Sequence, residues 1–271
     1  MIEPLIWMFK IPEFKKHFIY LLIIGLVFFI LAVCSLFFVF LFDSYNNILS
    51  TVVFIILTAI PIFCLTGYFW CLTENIINRE DLVVASSIFN GKIGTIKNIK
   101  LPQFDFIKFV WRGIASIFAT IILYFPLVYV CARLFNDLSG LTSNDILFFG
   151  VIIFIISFVP ALLWNYARRD SVLAVLNIPK AVYIMGTYTG RYIINTALFI
   201  IYFAIYTSIL SVISIVFGLS VLAMPMHLDS MHSVIVPIPL FIFTVFCYVT
   251  SIYWLYVNAF LLGTLTPTNE V

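Results

Sequence analysis

A chain of 271 residues could hold one or two water-soluble domains, but 64% of this one is apolar and only 10% is charged, against roughly 45–50% and 25% in soluble domains. So few polar side chains cannot cover a water-facing surface, which excludes a soluble fold and makes the bilayer the expected solvent. The net charge of +2 says little by itself; the placement of the charges says more.

Residues 1–17 set Trp7, Phe9 and Phe14 beside Lys10, Lys15 and Lys16, with Pro4 and Pro12 limiting any helix. Aromatic rings and snorkelling lysines suit the membrane–water interface, so this stretch reads as an interfacial N-terminal segment. Six uncharged runs follow: Phe18–Phe42, Ile48–Thr73, Gly113–Ala132, Ile146–Ala167, Tyr192–Leu228 and Val234–Thr266. Each reaches the ~20 residues that cross ~30 Å of hydrocarbon as a helix. Only helices and closed barrels satisfy their backbone polar groups in lipid, and unbroken apolar runs are helical. The last two exceed one span, and their outer ends are expected to leave the bilayer near Pro225, Pro237 and Pro239. The first run is too long for a signal peptide, and Leu41-Phe42-Asp43 lacks a small-residue cleavage pattern. The expected fold is an all-α membrane protein with a single six-span transmembrane domain over 18–266 and a short cytoplasmic tail at 267–271.

Thirteen of the fourteen lysines and arginines fall on one side of that arrangement, in the N-terminal segment and the second and fourth loops; Arg133 alone falls on the other. Under the positive-inside rule both termini are cytoplasmic, and a five- or seven-span arrangement would scramble the split. The second loop is the richest part of the chain. From Phe104 to Arg112 the polar residues Asp105, Lys108 and Arg112 share one helical face, and Pro102 suits the start of that helix. It reads as an interfacial helix on the inner leaflet, with Asp105, Lys108, Trp111 and Arg112 as lipid-contact candidates; a short charged connector is the alternative. The fourth loop echoes it. Pro179 precedes Gly190 as Pro102 precedes Gly113, Tyr188 answers Trp111, Tyr183 answers Phe106, and prolines (Pro61, Pro160) interrupt the spans before both. This pattern describes a weak parallel repeat with a second cytoplasmic interfacial helix, and shared interfacial chemistry accounts for it equally well.

Gly67-Tyr68, Leu101-Pro102-x-Phe104-Asp105 and Trp111-Arg112-Gly113, followed by Pro160-Ala161-Leu162, Tyr166-Ala167 and Gly190-Arg191-Tyr192, resemble the signature of the prokaryotic membrane family catalogued as domain of unknown function 4013. The likeness runs from about the second span onward. It implies a polytopic membrane protein of bacteria or archaea and carries no activity with it. Family members usually place basic residues soon after the Gly-Tyr pair; here Phe69-Trp70-Cys71-Leu72 stands instead, and Val83–Thr95 lengthens the loop. The membrane domain found beside glycerophosphodiester phosphodiesterases is similar in character, without a catalytic portion here.

No HExxH, GxSxG, GxxxxGK[ST] or GxGxxG motif is present, and no grouping supplies acid, base and nucleophile together, so an enzyme is disfavoured. None of the six runs contains Asp, Glu, Lys or Arg. Ion- or proton-coupled transport through a buried carboxylate is therefore disfavoured as well. Asn165, Asn195 and Asn258, with helix breaks at Pro61, Pro126 and Pro160, leave a neutral path open, although prolines that only kink packed helices are the preferred reading. Stripes of Thr207, Ser211, Ser214 and Gly218 on the fifth span, and of Thr244, Tyr248, Ser251 and Asn258 on the sixth, suit helix–helix contact; a pore lining would look similar. The five cysteines read as buried small hydrophobes.

Met224, Met226 and Met231 with His227 and His232 form an outer hairpin whose ligand types suit Cu(I). The preferred reading is an interfacial turn, and neither metal nor cofactor is expected. Anionic lipid is the natural counter-charge for the basic loops, so nucleic acid is excluded as a main partner. Together these readings predict a non-enzymatic integral membrane protein that packs against lipid, a membrane partner or a second copy. A permease or channel for a small neutral or lipid-like solute is the alternative.

Overall fold

The computed structural model describes residues 7–11, 13–41, 47–78, 101–136, 157–169, 171–222 and 237–265. Among them every regular element is helical. A 3₁₀ turn (Trp7–Lys10) precedes α1 (Phe14–Leu41), α2 (Asn47–Ile77) and α3 (Phe106–Asn136). The helix α4 (157–169) and a second 3₁₀ turn (Val172–Leu176) lead to α5 (Ile178–Thr187), α6 (Thr189–Leu222) and α7 (Pro237–Gly263). Five of these, α1, α2, α3, α6 and α7, are long and apolar enough to cross a bilayer. Of the fourth expected span, Ile146–Ala167, only residues 157–167 are described.

The outside of the bundle is apolar. Ile19, Ile23, Val27 and Ile30 on α1, Phe118, Ile121 and Phe125 on α3, and Ile193, Ile200 and Ile205 on α6 are all exposed. Such surfaces would aggregate in water and suit hydrocarbon. Inside, one cluster gathers Trp7, Phe14, Leu21, Tyr68, Phe109, Ile252 and Tyr256, joining the chain start to α1, α2, α3 and α7. A second gathers Trp70, Trp164, Tyr166, Ile184, Tyr192 and Leu262. Trp7 donates its indole N–H to the Tyr256 carbonyl at 3.2 Å, which pins the chain start to α7.

The two short helices expected at the inner face differ. Asp105 caps α3, its Oδ1 accepting the Lys108 N–H at 3.1 Å. From there the helix runs through Gly113 without interruption. The expected separate interfacial helix over Phe104–Arg112 is thus the first turns of the third span. Gly113 does not break the helix because its missing side chain serves packing. A Cβ there would lie 2.0 Å from the Phe63 carbonyl oxygen, and one at Gly67 would lie 1.7 Å from that of Phe109. Each glycine therefore lets the backbone of the opposite helix approach, and α2 and α3 cross at a distance no other residue permits.

The second short helix is separate. Asn177 Oδ1 accepts the Lys180 N–H at 3.1 Å, Pro179 occupies the first turn, and the chain bends at Tyr188 before α6. Ala181 and Ile184 are buried while Ile178, Val182 and Tyr183 are exposed, so α5 is amphipathic. Gly190 faces open space, unlike Gly113.

The polar stripes divide in the same way. On α7, Tyr248 donates to the Leu21 carbonyl at 3.1 Å and Ser251 meets the Tyr206 hydroxyl at 3.0 Å, which is helix–helix contact. On α6, Thr207 is half-buried and donates to the Ala204 carbonyl of its own helix, while Ser211 is exposed, so the expected stripe turns outward at Ser211. Cys64 and Cys71 are buried as expected, whereas Cys34 is exposed.

Gly67→Ala and Gly113→Ala should each destabilise the detergent-solubilised protein by about 1–3 kcal/mol, the usual cost of overpacking. Gly186→Ala, set in open space within α5, should instead be neutral or stabilise by up to about 1 kcal/mol. Thermal unfolding followed by circular dichroism would show the contrast.

Candidate functional site

The charged end of the bundle is organised by Arg112. Helical Cα–Cβ bonds tilt toward the N-terminus, so a long side chain on α3 leans back toward Asp105 and the end of α2. Arg112 Nη1 donates to Glu74 Oε2 at 2.5 Å and to Cys71 Sγ at 3.3 Å, and Nη2 donates to the Ala167 carbonyl at 3.0 Å. Tyr166 returns the link, donating its hydroxyl to the Arg112 carbonyl at 3.3 Å. One guanidinium thereby joins α2, α3 and α4. Arg112 is 3% exposed, whereas the Glu74 side chain is 31% exposed. Arg112 is therefore not a lipid contact, correcting the expectation that it shares an outward face with Lys108. Its charge is neutralised inside the protein, as a buried charge must be.

The other interface candidates sit at the rim. Trp111 is 72% exposed, and Asp105 and Lys108 are exposed, although the Asp105 carboxylate is engaged as the α3 cap. Across the charged end, the Arg168 guanidinium lies 5.5 Å from the Trp164 ring and the Lys180 amine 4.7 Å from the Tyr183 ring. Burial first, and the positive charges of Arg168 and Arg169 after it, push the Lys180 amine below its ordinary value. Leu173, Leu176, Ile178 and Val182, in the same stretch of chain, are exposed.

The signature residues have structural work at the same end. Tyr68 is fully buried and shares hydrogen bonds with the Tyr256 hydroxyl (2.8 Å) and His17 Nδ1 (3.2 Å). Leu101 and Pro102 are buried ahead of the α3 cap. Phe104 packs against Tyr20 and Phe109, ring centroids 5.3 and 5.4 Å apart. Tyr192 is buried and donates to the Ser157 carbonyl, fastening α6 to α4.

Deeper in the bundle a cavity of about 410 Å³ lies among α2, α3, α4, α6 and α7, bordered by Trp70, Thr120, Pro160, Asn195, Ser251 and Asn258, among others. Asn195 and Asn258, two of the three asparagines that kept a neutral path open, thus border one space. Asn165 does not: it is buried and donates to the Asn177 carbonyl at 3.2 Å, bracing the turn before α5.

Glu74 and Cys71 were missed as partners of Arg112. Phe63, Gly67, Cys71 and Glu74 recur at helical spacing along α2 and form the stripe that meets α3. A single acid ending such a stripe, opposite a lone arginine, was the available signal. The Met224–His232 hairpin lies outside the described residues. No family model, curated protein or solved structure matches the chain.

Removing the acid should cost more than removing the base. Glu74→Leu strands a buried guanidinium and should destabilise by about 3 kcal/mol or more. Arg112→Leu leaves a carboxylate that water already reaches, and should cost less. The Glu74→Leu/Arg112→Leu double variant should recover part of the Glu74→Leu loss, since apolar replacements of buried ion pairs are often near neutral. Thermal midpoints of the four proteins in one detergent would test the order.

Proposed function

We propose that the chain is a non-enzymatic, six-span protein of a prokaryotic plasma membrane, with both termini in the cytoplasm, whose inner rim holds the anionic headgroups of its own leaflet. The observation that carries this reading is the segment from Arg168 into α5, where exposed Leu173, Leu176, Ile178 and Val182 share a short stretch of chain with Arg168 and Lys180, each of which lies over an aromatic ring. Apolar side chains that enter the headgroup boundary beside basic groups that stay at it are the pattern of an interfacial helix. Trp111, Ile107 and Lys108 extend the pattern to the start of α3. The thirteen-to-one distribution of basic residues supports the orientation, and the resemblance of the Gly67-Tyr68 and Leu101–Gly113 motifs supports the prokaryotic setting.

Two experiments test it. With the native cysteines replaced, Asn46→Cys and Ser230→Cys should react with an impermeant maleimide added to intact cells, and Lys92→Cys only after permeabilisation. Labelling of Lys92→Cys from outside would reverse the orientation. For the rim, purified protein in mixed bilayers should enrich phosphatidylglycerol over phosphatidylcholine in its annulus. Lys108→Gln and Lys180→Gln should each weaken that preference by about 1 kcal/mol; an unchanged preference would count against headgroup binding.

The cavity favours a second reading, a permease for a small neutral or lipid-like solute, because uncharged polar side chains gather around an interior space. Flux of such a solute into protein-loaded vesicles, absent from empty ones, would establish it.

A further inference from the structure

Most polar groups around the cavity are satisfied by the protein itself. Thr66, Thr120 and Ser251 donate to carbonyls of their own helices at 2.7–2.8 Å. The Asn195 amide nitrogen donates to the Leu261 carbonyl and to Thr264 Oγ1, at 3.2 and 3.1 Å. Three described bordering residues are left with an unanswered atom: Trp70 Nε1, a donor on a side chain only 5% exposed, Asn258 Oδ1, an acceptor, and Thr196 Oγ1, which can be either. A buried polar atom without a partner is costly. A hydroxyl is the simplest group that can accept from the Trp70 N–H and donate to Asn258 Oδ1. Among the described residues no Lys, Arg, Asp, Glu or His borders the cavity, so a charged headgroup would enter without neutralisation.

Beside it lies a second cavity of about 560 Å³, bordered by aromatic and aliphatic side chains and by Thr250, whose hydroxyl is engaged by carbonyls of its own helix. The two share Tyr206 and Trp254, whose rings stack with centroids 5.0 Å apart and planes 4° from parallel. Along α6 and α7 the apolar cavity lies further from the charged end than the polar one. Its border includes Ile205, Ile209 and Phe246, all exposed on the outside of the bundle, so a lipid can reach it sideways from the bilayer. It is bordered as well by Phe9, Phe14 and Phe18 at the start of the chain; a polar space beside an apolar one that opens on the lipid has the layout of an amphiphile.

We propose that the paired cavities bind an uncharged lipid alcohol, its hydroxyl among Trp70 and Asn258 and its hydrocarbon across the Tyr206–Trp254 stack. This shares its chemistry with the permease reading but requires no passage across the membrane. Binding without flux would refute the permease and leave the site standing.

The test is native mass spectrometry of the purified full chain in detergent, titrated with didecanoylglycerol, farnesol, tridecanoylglycerol and didecanoylphosphatidylglycerol. Saturable one-to-one binding of didecanoylglycerol or farnesol is expected, and which of the two binds tighter assigns a glyceride or an isoprenoid source. The triester, which lacks the hydroxyl, and the charged phospholipid should bind at least about tenfold more weakly. Trp70→Phe, which keeps the ring and removes the N–H, and Asn258→Leu should each lower affinity for the preferred alcohol about three- to tenfold. Equal binding of alcohol and triester by the unaltered protein would overturn the proposal. So would no saturable binding, which leaves water as the occupant, or full affinity in both variants. The lipid series on the unaltered chain decides the matter even if a variant fails to fold.

Discussion

The architecture depends on how closely α2 and α3 approach. Gly67 and Gly113 each face a backbone carbonyl of the other helix, and this mutual contact brings the two axes together near the charged end. Only at that separation does Arg112, rooted beside Gly113, reach Cys71 and Glu74 on the facing helix. The arginine then has reach to spare for the Ala167 carbonyl, and α4 is drawn into the same junction. Close packing and charge neutralisation are therefore one arrangement. In lipid, where apolar side chains gain little by leaving the solvent, short-range packing and internal hydrogen bonds carry the association of helices.

Much of this was legible in the sequence, and the rest was hidden for identifiable reasons. The long apolar runs gave helices because lipid leaves the backbone no other choice. Asn177 and Pro179 marked the start of α5 through chemistry confined to a few neighbouring residues. Arg112 misled because its spacing from Asp105 and Lys108 fits an outward face, and periodicity alone does not tell a face turned to water from one turned to a buried acid. Glu74 lies thirty-eight residues away, and pairing over that distance is a property of the fold. The cavity was half visible: Asn195 and Asn258 were recognisable as polar groups within spans, but their convergence, and the exclusion of Asn165, depend on the angles at which α4, α6 and α7 meet.

The apparent repeat shows the same limit. At sequence level Gly113 and Gly190, Trp111 and Tyr188, and Pro102 and Pro179 stand in register. In the fold, Gly113 is packed and Gly190 is open; Trp111 is exposed and Tyr188 is buried. Pro102 lies three residues before its capping side chain, whereas Pro179 lies two residues after its own. Both segments begin a helix at the charged end with a side-chain cap, and that common task calls for the same few residue types. Similar chemistry at two helix starts is what the pattern records, and the structures built on them diverge.

Polarity is graded along the bundle, and the grading connects the two proposals. At one end stand full charges, either neutralised internally, as Arg112 is, or presented at the rim, as Lys108 and Arg169 are. Further in come uncharged polar groups: the Tyr68–Tyr256–His17 cluster and the asparagines and hydroxyls of the first cavity. Further along α6 and α7 the second cavity is almost wholly apolar. A bilayer leaflet has the same sequence of layers, from ionic headgroup through glycerol and ester to hydrocarbon. A protein that only had to persist in the membrane would need this grading on its outer surface alone. Here it is repeated in the interior, where each unsatisfied polar atom is a cost that a close-packed apolar core would avoid. An interior laid out like the surrounding leaflet, and reachable from it past Ile205 and Ile209, is suited to receiving one of the leaflet's uncharged components.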